Sequence, residues 1–176
     1  MKTLTKKQIE FLNKHTKGSW SYDPATGLVD VEGDFDCSSK RLWTLSVVKF
    51  GKVSGYFNCS YNRLTTLEGA PQEVGGGFYC ENNQLTTLEG APQKVGGNFS
   101  ERLLFGGNFE CYCNNLTSLV GAPQEVGGNF RYEFHINKGK WNINGWIQAL
   151  KQGYTIILTL PYLSEDDKRL YELGLL

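Results

Sequence analysis

The chain has 176 residues, with 18 basic and 18 acidic side chains and 40% apolar composition. That length suits one domain, and the balanced charge offers no strong basic excess for nucleic acid or an anionic membrane. No stretch reaches the length of a bilayer span, and the first residues carry charges with no apolar run behind them, unlike a secretory leader, so a cytoplasmic location is expected.

In chain order, residues 5–16 (TKKQIEFLNKHT) predict a short amphipathic helix with Ile9, Phe11 and Leu12 on or beside one face, ended by Gly18. Asp23-Pro24 and Thr26-Gly27 then mark a turn. Residues 1–27 are expected to form an N-terminal helical cap, since a stack of repeats needs cover at its open end.

Repetition begins next. Leu64 recurs as Leu85, Gly69 as Gly90, Pro71 as Pro92 and Val74 as Val95, each a step of 21 residues. Self-similarity at such a period marks a solenoid, in which each repeat buries its apolar side only against its neighbours. From Phe78 the slots are F-x-C-x-x-N-x-L-x-x-L, filled by Phe78, Cys80, Asn83, Leu85 and Leu88. Phe and Cys two apart share the inner face of a short strand. The Asn sits where the chain turns and can satisfy backbone groups of an adjacent rung. Gly69-Ala70-Pro71 and Val74 take the chain across the outer face, and Gly76-Gly77 leads into the next strand.

The other rungs start at Phe35, Phe57, Phe109 and Phe130. The first carries Lys40 in the Asn slot. The fifth keeps Phe130 and Tyr132 but has His135 and Asn137 where Asn and Leu are expected. Cys37, Cys59, Cys80 and Cys111 hold one slot, which predicts a reduced, buried column; Cys113 falls in the turn, away from Cys111, which argues against zinc. One interval is irregular. Phe78 and Phe109 lie 31 residues apart, and a rung counted from Phe99 fails its slots, so residues 99–108 (FSERLLFGGN) are expected to be a ten-residue insertion.

Past Phe134 the composition changes. Residues 142–152 predict a helix, 155–160 (TIILTL) a buried strand closed by Pro161, and Ser164 to Gly174 a capped final helix. Some forty residues are too few for an independent core, so 138–176 are expected to be a C-terminal α/β cap of the same domain.

Residues 28–137 resemble leucine-rich repeat proteins of the short bacterial kind. The resemblance implies an α/β solenoid with a parallel sheet on its concave face, and protein binding through that sheet. The step Leu-Glu-Gly-Ala-Pro stands where the effector members have Leu-Pro pairs, and no ubiquitin-ligase motif follows. The phrase LTTLEGAPQ-x-VGG-x-F looks like repeats in uncharacterised proteins of large tailed bacteriophages, which implies an inhibitor or adaptor acting on a host (defence) protein.

Strand alternation names the face. The residues flanking the inward Phe and Cys include five acids (Asp34, Asp36, Glu81, Glu110 and Glu133), one base, Arg131, and a diagonal of Tyr56, Tyr79 and Tyr112. These tyrosines with Glu81, Glu110 and Arg131, and the apolar Leu103, Leu104 and Phe105 of the insertion, are the expected partner-binding residues. No Ser/His/acid set or phosphate loop is present, so neither an enzyme nor a cofactor is expected. The alternative reading is a protein that binds or sequesters a small molecule such as a nucleotide.

Overall fold

In the computed structural model, which describes residues 3–96 and 107–132, the repeats wind into a parallel β-solenoid preceded by one helix. The helix α1 spans Lys6–His15. Thr5 caps it in a capping box with Gln8. Its apolar side sets Phe11 and His15 against Phe35, with ring centroids 5.7 and 6.0 Å apart.

The helix ends at Thr16 rather than at Gly18, because the chain turns directly into a strand there. That strand, β1 (Thr16–Asp23), pairs antiparallel with β2 (Leu28–Asp36) across a turn in which Gly27 N–H donates to Asp23 O at 2.7 Å. Gly18 stands opposite Gly33 within this pair, at φ 139° and 115°. A β-carbon on either would collide with a carbonyl of the other strand.

From β2 the sheet grows in two directions. One ladder runs through β4 (Phe57–Asn58), β6 (Phe78–Tyr79), β8 (Phe109–Glu110) and β10 (Phe130–Arg131). The other runs through β3 (Phe50–Val53), β5 (Glu73–Val74), β7 (Lys94–Val95) and β9 (Glu125–Val126). The second ladder gives the outer face, where the spacing predicted only that the chain crosses through Gly-Ala-Pro and Val74, regular strand pairing. Val53, Val74, Val95 and Val126 recur in register there, so the segment pairs with its copies as a sheet. The leucine-rich repeat expectation thus reduces, on the structure, to the broader class of parallel β-solenoid.

Between the ladders lies the core. Phe35, Phe57, Phe78, Phe109 and Phe130 form a continuous stack with centroids 5.0–5.5 Å apart and rings within 17° of parallel. Each such contact adds about 0.5–1.5 kcal/mol beyond the area it buries. Beside the stack run Cys37, Cys59, Cys80 and Cys111, fully buried, with burial pushing the Cys37 thiol up to about 12. Leu64, Leu67, Leu85 and Leu88 are fully buried in the same core.

Phe78 stacks directly on Phe109, so the 31-residue interval is crossed without breaking the column. Gly107 and Asn108 already belong to the ladder, since Phe78 N–H donates to Asn108 O at 2.8 Å. Gly96 and Gly107 are in close backbone contact, so the chain on either side of 97–106 meets at this point. Residues 97–106, including Leu103, Leu104 and Phe105, and the expected C-terminal cap at 138–176, lie outside the described residues. No helix among the described residues is long and apolar enough to cross a membrane.

Candidate protein-binding face

The Phe ladder presents its inward Phe and Cys to the core, so the residue between them points outward on every rung. Pairing sets these residues in one column: Asp36, Asn58, Tyr79, Glu110 and Arg131. Tyr56 belongs to the column before it, and Glu81 and Tyr112 to the column after it. The expected diagonal of Tyr56, Tyr79 and Tyr112 therefore crosses three consecutive rungs, and all three side chains are half-buried.

Tyr56 and Tyr79 are held by their surroundings. Tyr56 and Tyr79 meet edge-on with centroids 6.2 Å apart. The Tyr79 ring lies over Gly77, in the space a β-carbon there would fill. Tyr56 Oη accepts a 2.8 Å hydrogen bond from Lys17 Nζ, and the ammonium also sits 5.5 Å from its ring centroid. Burial, then the nearby Glu110 and Glu81 carboxylates, raise the Tyr79 hydroxyl above its ordinary pKa. Burial followed by Glu81 and Glu110 does the same to Tyr112. Both stay protonated hydrogen-bond donors at neutral pH.

The acids are less available than strand alternation implies. Asp34 Oδ1 accepts from Tyr56 N–H at 3.0 Å. Asp36 Oδ1 accepts from the N–H and Oγ of Ser38 at 3.0 and 2.7 Å. Burial opposes ionisation of Asp36, yet those two bonds hold its pKa below the ordinary value. Glu110 pairs with Arg131 at 3.5 Å. Glu81 is a correction. It was expected on the open face, but only 7% of it is exposed. The neighbouring rungs supply that cover: Ser60 and Tyr112 hold the same slot before and after it, and Ser60 is itself buried.

The Val ladder differs in kind. Its outward column reads Lys52, Glu73, Lys94, Glu125, alternating in sign along the register. Lys52 meets Glu73 at 2.8 Å and Lys94 meets Glu125 at 3.5 Å. That face neutralises itself, whereas the Phe-ladder face gathers aromatic rings.

Two features escaped the sequence reading. A recess of about 250 Å³ between α1 and the first rung is lined by Lys14, His15, Lys17, Asp36, Ser38 and Lys40. In it His15 Nδ1 lies 2.7 Å from Asp36 O, and burial lowers the imidazole pKa. The other is Trp43, 60% exposed, with the Arg63 guanidinium 5.3 Å from its ring centroid. The signal was present: Trp43 stands in a slot that Thr65, Thr86 and Thr117 fill in later rungs. Compared with family models, curated proteins and solved structures, the chain matches none.

Proposed function

We propose that this chain is a non-enzymatic binding module that engages a protein partner through the Phe-ladder face. The observation carrying the proposal is the diagonal of Tyr56, Tyr79 and Tyr112, the first two oriented by Lys17 and Gly77 and by an edge-on ring contact. Tyrosines pre-oriented on a rigid scaffold give contact area at low entropic cost, and Tyr79 and Tyr112 retain donor hydroxyls. The resemblance of residues 28–137 to leucine-rich repeat proteins, and of the repeat phrase to phage proteins, supports a more specific form: an inhibitor or adaptor directed at a host protein from the host cytoplasm. The segment holding Leu103, Leu104 and Phe105 belongs to the same proposal.

A second reading rests on the lysine-lined recess, whose Lys14, Lys17 and Lys40 suit a small anion such as a nucleotide. It ranks lower, because Asp36 shares the recess and Lys17 is already engaged by Tyr56.

Immobilised protein incubated with bacterial lysate tests the first reading. A partner should be retained by the parent and by a Lys52→Ala/Lys94→Ala variant of the opposite ladder, and lost by Tyr79→Ala/Tyr112→Ala. Retention by all three would end the proposal. A nucleotide that raises the melting temperature of the parent but not of Lys14→Ala/Lys40→Ala would favour the second reading.

A further inference from the structure

Each rung of the Phe ladder leaves through the Asn turn, and these turns stack into an edge beside the tyrosine face. Over the matching residues 39–44, 61–66, 82–87 and 113–118 this edge has three bases, Lys40, Arg41 and Arg63, and no acid, and the exposed Glu68 and Glu89 stand two positions beyond it. All three belong to the first two rungs. Trp43 and Tyr61 are there too, 60% and 59% exposed. Arg63 N–H donates to Leu42 O at 2.8 Å, which seats Arg63 against the Trp43 stretch and its guanidinium near the indole.

None of these side chains is demanded by the repeat. The same slots hold Thr65, Thr86 and Thr117 in place of Trp43, Gln84 and Asn115 in place of Arg63, and Asn82 in place of Tyr61. Tyr61 even occupies a left-handed backbone conformation, φ 54°, which Asn tolerates better. Leaving a Trp, a Tyr and an Arg exposed together, in slots where small polar residues fold equally well, assembles the residue types that dominate interface energetics.

We infer that this edge is a second docking surface, and that its occupant is a short acidic segment of a protein. The charge is complementary, and a guanidinium beside an indole directs its donor fork to carboxylates. Nucleic acid shares the anionic chemistry but fits less well. The adjoining face carries Asp34, Asp36 and Glu110, which repel a long polyanion and leave a brief acidic run unaffected.

The test uses the full chain and a fluorescein-labelled nonapeptide of three Asp-Glu-Phe repeats, read by anisotropy. Controls are a Lys-Lys-Phe nonapeptide and a nine-residue oligothymidylate. The acidic peptide should bind the parent, weaken as salt rises, and lose at least about tenfold in affinity with Trp43→Thr/Arg63→Gln. Tyr79→Ala/Tyr112→Ala should leave that binding unchanged, which separates this surface from the tyrosine face. Because the substituted residues already occur at those slots, the variant should melt with the parent; if it does not, Arg63→Gln alone carries the comparison. The inference is overturned by absence of acidic-peptide binding at low salt, or by undiminished binding in the folded variant. It is equally overturned if the variant weakens the basic peptide as much, or if oligothymidylate binds more tightly through Trp43.

Discussion

Glu81 occupies a slot filled by Ser60 one rung earlier and Tyr112 one rung later, and it is buried there with Oε2 lacking a hydrogen-bond partner. Desolvation raises its pKa, and the Glu110 carboxylate adds to the effect. An unfolded glutamate titrates near its ordinary value of 4.5, so the folded protein holds this proton to higher pH than the unfolded chain does. The resulting stability is fully present below that value and is lost as pH rises through the folded pKa. Glu81→Gln, which mimics the protonated form at every pH, should match the parent in urea denaturation at pH 4. It should become the more stable protein as pH rises to neutrality, then hold a constant margin. A margin independent of pH would show that the carboxyl is solvated in the fold.

At the scale of the element, the Asn turn is the joint between rungs. Asn83 Nδ2 donates to Cys59 O and Cys80 O at 3.0 and 3.1 Å, while Oδ1 accepts from Leu64 N–H at 3.0 Å. One side chain thus ties its own strand to the preceding rung, and Asn62 and Asn114 repeat the arrangement. Asn83→Ala should cost about 1–3 kcal/mol, since buried carbonyls and an N–H lose partners together. Asn58 does not serve as a neutral control, because its Oδ1 accepts from Ser60 N–H and Oγ. Exposed Asn115 does, and Asn115→Ala should stay within about 0.5 kcal/mol of the parent. Equal denaturation midpoints for the two variants would contradict the joint.

For the whole molecule, continuity of the phenylalanine stack across the long interval decides what segment 97–106 contributes to the solenoid. The backbone already meets itself at Gly96 and Gly107, and joining them creates Val95-Gly-Gly-Asn-Phe109, the phrase found at Val126–Phe130. Deleting 97–106 should therefore give a folded protein melting no lower than the parent, with the small entropic gain expected of a shorter connection. If Leu103, Leu104 and Phe105 serve recognition, the same variant loses its partner in the lysate experiment. Aggregation, or a much lower melting temperature, would instead assign those side chains to covering the solenoid.

The period, the inward Phe and Cys columns, the Asn joint and the restart at Phe109 were all legible in the sequence. Each depends on residue identity at a short fixed spacing, and repetition multiplied the signal. Position along one strand also told which side chains point outward. It did not tell how much of each remains exposed, because rungs 21 or more residues away determine that: Glu81 is buried by flanking rungs, and Asp34 and Asp36 turn to backbone groups. The Val ladder was missed for a related reason. Two residues, Glu73 and Val74, are too few to show alternation, and they become a strand only by pairing with β3 and β7. Parallel pairing is non-local, so slot patterns determined which residues share a column, while tertiary structure decided which columns form sheet, which acids are buried, and that Trp43 and Arg63 come together on an open edge.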